Sequence, residues 1–587
     1  MMTYAFLFQI AMNTPSAIPD RSGVNIFDDD AEMQSLLRLY LPADLHSHLL
    51  PYFKALGAGA GGPLDALAQS ADKNPPTLTH RTRTGENEQK IVKHPDYLAL
   101  EKIAFADYGL AAMSHRAGVL GWPQVLPPVA KYALTYLFVQ AEFGLCCPVS
   151  MTDSLARTLR KFGDPALVAR YLPGLNSQDM GLLTQGAMFM TEQGAGSDVA
   201  ATATLAQPDE LLCRPDTPDA PKAWRLTGDK WFCSNPDAGL AMVLARTGDA
   251  ALGIRGVSLF LLPRRLPDGS ANALRIVRLK DKLGTKSMAS GEIELNGAVA
   301  YLVGEEGRGF VQMADMVNNS RLSNGVRAAG LMRRAASEAL FIAQNRQAFG
   351  KKLIDLPLMR RQLTKLMLPA EQARTMVFQT SEALRRADEG DAKAYALVRI
   401  LTPLIKFRAC RDARKVTGDA MEVRGGCGYI EEWSDARLVR DSHLGSIWEG
   451  TSNIVALDVL RAIQREDALT VLMTYLGGLA EQIEEPHGLK TRLAQVKPRV
   501  VQLAQAALAN EALARRAASA LYHFTSAVAM AWEATQTGSE FRMNVAVLVL
   551  KHRLQSPDPL SVDLSGGLNG GLKSDLGDSE ALEGLFT

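Results

Sequence analysis

Cysteine is scarce in this chain. Six in 587 residues do not build a disulfide framework, and Cys146, Cys147, Cys213, Cys233, Cys410 and Cys427 include no C-x-x-C pair and no zinc spacing. Buried or free thiols in a reducing compartment are expected. Net charge is nearly absent as well: 64 Lys and Arg offset 63 Asp and Glu, a formal +1. No global field draws the protein to nucleic acid or anionic lipid, so any basic footprint has to be local. No apolar run approaches the ~18 residues a membrane helix needs. The apolar stretch Tyr4 to Met12 is short, lacks a basic n-region and a small-residue cleavage site, and is not read as a signal peptide; a cytoplasmic protein is the expectation. No internal repeat is present. What the chain does have is 47% hydrophobic and 22% charged residues, the proportions of an ordinary folded protein, with length for three to five domains.

The texture of the sequence changes along its length. Residues 1–185 read as mostly helical, with apolar residues at helical spacing over Asp44–Leu56, Tyr97–Gly118, Pro128–Phe143 and Ser154–Phe162. Between them Gly57–Gly62 and Asn74–Asn87, rich in Gly, Pro, Thr and Asn, read as loops. From 186 to 305 the segments are short and alternating. Arg225–Phe232 contains a turn signal at Thr227-Gly228-Asp229, and Gly256–Leu262 reads as a buried strand ended by Pro263. Asn296-Gly297, set between two alternating runs, is a hairpin signal. Residues 306–465 are helical again. Gly325–Phe349, Gln362–Asp388 and Lys393–Val423 form long helices of an antiparallel bundle, the third carrying Pro403. Residues 466–555 add helices rich in Ala, Leu and Arg. The last segment, 556–587, sets six acids against one lysine and is expected to be disordered.

Three segments carry the chemistry. Met190-Thr191-Glu192-Gln193-Gly194-Ala195-Gly196-Ser197-Asp198 has a G-x-G stretch, but no third glycine opens a helix, which argues against a nicotinamide dinucleotide fold. Gly228-Asp229-Lys230-Trp231-Phe232-Cys233-Ser234-Asn235 places aromatics beside a hydroxyl, suited to the wall of a flat ring system. Ile447-Trp448-Glu449-Gly450-Thr451 puts a carboxylate next to a glycine between two helical runs, free to enter a pocket. Each alone has an ordinary structural explanation: a turn, a core Trp, a helix-start acid. The pair His46 and His48 has no third ligand near it, so no metal is expected.

Taken together, in this order, the segments resemble the acyl-CoA dehydrogenase family over roughly residues 90–465. Arg346-Gln347-Ala348-Phe349-Gly350-Lys351 resembles its R-x-x-F-G-K segment. Gly425-Gly426-Cys427-Gly428-Tyr429, Arg440-Asp441 and Trp448-Glu449-Gly450-Thr451 resemble its C-terminal signature. A subgroup, the AidB-type flavoproteins of the bacterial response to DNA alkylation, is similar through Lys230-Trp231-Phe232, Leu279 to Gly284, Met421-Glu422-Val423 and the run from Ser446 to Arg461. The resemblance implies a mainly α fold with a central β domain: an N-terminal helical domain, a β domain, a four-helix bundle, and an extra C-terminal helical domain. It implies a homotetramer that binds FAD and an acyl-CoA or similar small molecule, reoxidised by an external electron acceptor. In that reading Met190, Thr191, Gly196, Ser197, Phe232 and Ser234 contact the flavin. Arg346 and Phe349 reach the FAD of a neighbouring subunit, Glu422, Gly425 and Gly426 face the same dinucleotide, and Thr451 lies beside the base. Relatives often have Gln where Glu422 stands, and an acid there would repel a phosphate.

The family reaction takes a proton from the α carbon and a hydride from the β carbon of an acyl thioester. Glu449 is the candidate base, expected in an apolar pocket with Trp448 where desolvation raises its pKa. Ser197, Arg321 and Trp448 are the candidate substrate contacts. The AidB likeness also implies an alternative, a DNA-associated flavoprotein with little turnover. Between Arg461 and Arg553 eleven basic residues face eight acidic ones, and the cluster Lys490, Arg492, Lys497 and Arg499 is the candidate for contacts to the backbone of double-stranded DNA.

Overall fold

The computed structural model describes residues 18–209, 221–484 and 488–555. Cys213 and the acidic tail lie outside the described residues. The N-terminal layer is helical: α1 (Ala31–Tyr40), α2 (Ala43–Ala60), α3 (Pro63–Lys73), α4 (Pro95–Glu101), α5 (Pro128–Phe138), α6 (Cys146–Phe162) and α7 (Pro165–Leu175), with a hairpin of β1 (Thr77–Arg81) and β2 (Asn87–Val92) before α4. Three expectations fail here, the first being the loop over Asn74–Asn87, within which β1 forms and pairs with β2. Gly57–Gly62 is not a loop; α2 runs through Gly57 because a side chain there would sit 2.4 Å from Asn25 and Phe27, so glycine serves close packing. The helix expected over Tyr97–Gly118 stops at Glu101, gives one wide turn over Lys102–Asp107, and is broken by Gly109 at φ +57°.

The central domain contains β3 (Gly186–Phe189), β4 (Leu205–Pro208), β5 (Ala223–Ser234), β6 (Leu240–Arg246), β7 (Val257–Pro263), β8 (Leu274–Leu279) and β9 (Ser290–Leu302). Pairings run β6–β7–β9–β5–β4 and return to β6 through Leu205–Arg246, closing a small barrel. β6 and β7 are buried along their whole length because both faces are covered. Ala241, Val243 and Ala245 point into the barrel core with Trp224 and Phe260, while Leu240, Met242 and Leu244 join the helical core. The expected turn at Thr227-Gly228-Asp229 and hairpin at Asn296-Gly297 do not form. Both lie within continuous strands: Thr227 pairs with Asn296 and Leu226 with Ala298, so Gly297 at φ +72° is the extra residue of a bulge.

The bundle follows: α8 (Gly309–Asn345), α9 (Pro357–Asp388) and α10 (Ala392–Arg424), with the two-residue strands β10 (Gln347–Ala348) and β11 (Lys351–Lys352) between α8 and α9, then α11 (Ser434–Leu444) and α12 (Ser452–Glu466). Helix α10 passes through Pro403 without a break, and Asp391 caps it by accepting from the amides of Lys393 and Ala394. The appended helices are α13 (Ala468–Glu481), α14 (Leu489–Ala509), α15 (Ala514–Thr537) and α16 (Glu540–Val549). α15 is buried along one side against α9, α10 and α12. Among the described residues no helix is long and apolar enough to cross a membrane, and no group of three or more His, Cys, Asp or Glu side chains is placed to hold a metal ion.

Candidate active site

Glu449 lies in the turn between α11 and α12, at φ +48°. Its carboxylate faces α8: Ser320 Oγ donates to Oε1 at 2.8 Å and Asn324 donates to Oε2. These two residues are one helical turn apart, so one face of α8 presents both donors. The apolar pocket expected around this carboxylate is thus a polar cradle with an aromatic wall. The wall is Trp448, stacked on Phe143 with ring centroids 6.1 Å apart and planes 17° apart. The guanidinium of Arg327, fully buried, sits 4.6 Å from the Trp448 ring centre and 5.5 Å from that of Phe143. Both terminal nitrogens of Arg327 and the Trp448 indole nitrogen are buried without a protein partner. Sequence reasoning missed Ser320, Asn324 and Arg327; their spacing at i, i+4 and i+7 on one helix face was the available signal.

Arg321, expected as a substrate contact, has its guanidinium bonded on two sides by the protein. Its Nε donates to the Glu449 carbonyl at 2.9 Å and its Nη1 to Asp458 at 2.6 Å, so the guanidinium is engaged within the fold.

The other expected contacts lie in the β domain. Glu192 of the Met190–Asp198 segment is buried and accepts from Lys230 Nζ at 2.6 Å, Thr204 Oγ1 at 2.6 Å and the Ala203 amide at 2.6 Å. Burial opposes its charge, but the Lys230 ammonium and these hydrogen bonds hold its carboxyl below the ordinary range. That anchor stabilises the loop carrying Gly194, Gly196 and Ser197, and next to it the Thr191 carbonyl accepts from the Trp231 amide at 2.8 Å. Thr191 is therefore alongside the strand that carries Phe232 and Ser234. Phe232 is 57% exposed, and Lys280 Nζ lies 3.3 Å from the centre of the neighbouring Trp231 ring. Cys147 is buried at the start of α6. Burial pushes its thiol up to about 11, while the charges of Arg327 and Glu449 act on it in opposite directions. A cleft of about 590 Å³ lined by Lys280, Lys282, Met288, Ser290 and Arg440 opens alongside, and Ser290 is the ladder partner of Ser234.

These surfaces suit a flat ring system with a hydrogen-bonding edge. The Phe232 face is open, nothing lies within 4 Å of where a Cβ would sit on Gly194, Gly196 or Gly426, and an indole N–H awaits an acceptor. Thr451 precedes α12, yet its hydroxyl caps none of that helix's amides. At the far end of the bundle Arg346 Nη1 donates to the Arg424 carbonyl at 3.0 Å, next to Gly425. Phe349, at φ +54°, is 93% exposed, and Glu422 is exposed with Gln362 at 3.5 Å.

The basic cluster of α14 is not one patch. Lys490 and Lys497 are two turns apart on one face; Arg492 and Arg499 lie about 200° around the helix. Lys490 donates to the Glu481 carbonyl at 3.0 Å, Arg492 to Gln555 at 2.7 Å, and Lys497 approaches the Met473 carbonyl at 3.5 Å.

The chain is similar to known proteins over most of its length. Residues 307–464 match the acyl-CoA dehydrogenase C-terminal domain, 187–298 the acyl-CoA dehydrogenase middle domain, and 16–180 the adaptive response protein AidB N-terminal domain. AidB of Escherichia coli (strain K12) is 35% identical over 423 residues, 70% of this chain and 73% of that protein. The crystal structure of Caenorhabditis elegans ACDH-11 in complex with C11-CoA superposes with a TM-score of 0.84 at 26% identity, covering 93% of this chain and 94% of that one. Bd2924 in its apo form superposes with a TM-score of 0.77 at 32% identity, covering 88% and 99%. The chain belongs to the acyl-CoA dehydrogenase family, oxidoreductases acting on the CH–CH bond of acyl-CoA thioesters. Within it, the N-terminal match and the Escherichia coli relative put it with the AidB-type members.

Proposed function

We propose that the protein is an FAD-dependent dehydrogenase of an acyl thioester, with Glu449 as the base that takes the α proton. The observation that carries this reading is the fixed carboxylate: Ser320 and Asn324 of α8 hold one oxygen each. The hydroxyls of Thr191 and Ser234 would meet the polar edge of the flavin, with Phe232 against its ring, Met190, Gly196 and Ser197 close by, and Thr451 at the base's side. Arg346, Phe349, Gly425 and Gly426 would hold the adenosine diphosphate end, the first two from a neighbouring subunit of a homotetramer. Bound FAD would supply the acceptor for the hydride of the β carbon. The chain's own part is to orient the thioester, exclude water with the Trp448–Phe143 wall, and receive the proton on Glu449. The C11-CoA bound to the Caenorhabditis elegans relative supports an acyl-CoA as ligand class. Free, buried thiols support a cytoplasmic setting.

The test is anaerobic flavin reduction by a panel of acyl-CoAs. The parent bleaches with at least one; Glu449→Gln retains FAD and bleaches about 10²–10⁴ times more slowly. Reduction of the variant at the parent rate removes Glu449 as the base.

A second reading, a DNA-associated flavoprotein of the alkylation response with little turnover, rests on the resemblance to the AidB-type subgroup alone. It requires salt-sensitive binding to duplex DNA that charge reversal at Lys490, Arg492, Lys497 and Arg499 weakens. Binding that ignores those reversals, or is absent at low salt, eliminates it.

A further inference from the structure

The turn that carries Glu449 is strained and gripped from two sides. Glu449 at φ +48° and Gly450 at φ +102° occupy backbone regions that L side chains rarely adopt. A strained non-glycine residue persists only where its surroundings over-determine it. Here Lys406 of α10, 1% exposed, spans the turn: its ammonium donates to the Gly445 carbonyl at 2.7 Å and the Gly450 carbonyl at 3.1 Å. From α8, Arg321 donates to the Glu449 carbonyl and, through its bond to Asp458, ties the turn to α12.

Packing alone does not account for the lysine. Its ammonium hydrogen-bonds two neutral carbonyls and no carboxylate among the described residues, and burying a cation costs several kcal/mol. A methionine would fill similar volume without that cost. Burial accordingly pulls the Lys406 pKa below its ordinary value.

We infer that Lys406, acting with Arg321, is a positioning residue that sets where the Glu449 carboxylate stands against Ser320 and Asn324, and so governs proton removal without taking part in it. The inference rests on Glu449 being the base. Displacing a reacting group by about 1 Å is enough to lower a rate about 100-fold.

The test uses the full FAD-loaded protein and two readouts. One is amide exchange in the peptide containing Ile447 and Trp448, whose amides bond the Leu444 carbonyl. The other is the rate of flavin reduction with the KM for the reducing acyl-CoA. In Lys406→Met the exchange of this peptide rises at least tenfold with the rest of the bundle unchanged. Flavin reduction slows about 100-fold, while KM moves less than about threefold because uniform binding is untouched. Lys406→Arg, which still offers two N–H groups to the two carbonyls, restores most of both. Unchanged exchange overturns the inference, and so does a loosened turn with parent-like reduction. If Lys406→Met does not fold, Arg321→Lys loosens the same turn from the other side and must give the same local pattern; its absence counts against the inference equally. Should no acyl-CoA reduce even the parent, the base reading falls, and the exchange result still decides whether the clamp exists.

Discussion

Ser320 and Asn324 each hold one oxygen of Glu449, and a hydrogen bond to a charged group is worth roughly 1.5–3 kcal/mol. Asn324→Ala should therefore slow flavin reduction about 10–100-fold at unchanged FAD content, measured by stopped-flow absorbance. Asp441 offers a test by pH. Burial raises its carboxyl to about 7, helped by Asp72, although the Thr285 amide donates to it at 2.6 Å. In the unfolded chain an Asp titrates near ~3.9. The folded state thus loses stability as pH rises from the unfolded value through the folded one, and the loss is complete above about 7. Asp441→Asn keeps an acceptor for Thr285 and removes that loss. Its Tm should exceed the parent's by about 1–3 °C at pH 8, with the gain vanishing toward pH 4. At this scale Glu449 was legible because it stands in a contiguous W-E-G-T segment. Its partners Ser320, Asn324 and Lys406 were not, because they come from helices distant in sequence: spacing can show that Ser320 and Asn324 share a face of α8, but not which distant turn that face meets.

Gly297 shows how the same dipeptide reads differently in isolation and in a sheet. Asn-Gly favours a two-residue turn, but β9 has β5 along nearly its whole length and β8 on its other edge. Folding back would forfeit that ladder, so the positive φ is absorbed as a bulge. Gly297→Val forces a β-branched residue into a left-handed conformation, at a cost of about 1–2 kcal/mol, which lowers the midpoint of urea unfolding followed by the barrel's Trp224 fluorescence. The long helices of the bundle were legible from their apolar spacing, although α8 begins at Gly309, well before the expected Gly325. Within α8, which packs against α6, Asn318, Asn319, Ser320 and Arg321 form a polar run. Polar residues there weaken an apolar stripe, which is why the boundary escaped a reading by period.

Across the whole molecule a buried ionic cluster joins the first helix to the last. Arg374 of α9 pairs with Asp30, the N-cap of α1, at 2.7 Å and with Glu371. Arg542 of α16, fully buried, pairs with Glu533 of α15 and bonds Thr375 of α9. Arg542→Leu leaves Glu533 buried without that counter-charge, which costs about 3–5 kcal/mol. The expected outcome is a lower Tm and faster tryptic release of the segment after α15, seen by mass spectrometry; unchanged proteolysis would mean the cluster does not hold that segment in place. Both Arg542 and Glu533 enter the local charge count that suggested a basic surface, yet neither reaches solvent.

The amino-acid sequence by itself determined the succession of helical, β and helical segments and the motifs that identify the family, since periodicity, turn chemistry and contiguous signatures are local properties. Only the tertiary structure decided what surrounds Glu449, that Arg321 is engaged by Asp458, and that the cations of α14 divide between two faces. Each of these depends on which distant residues meet, and the burial that sets their energies exists only once the chain has packed.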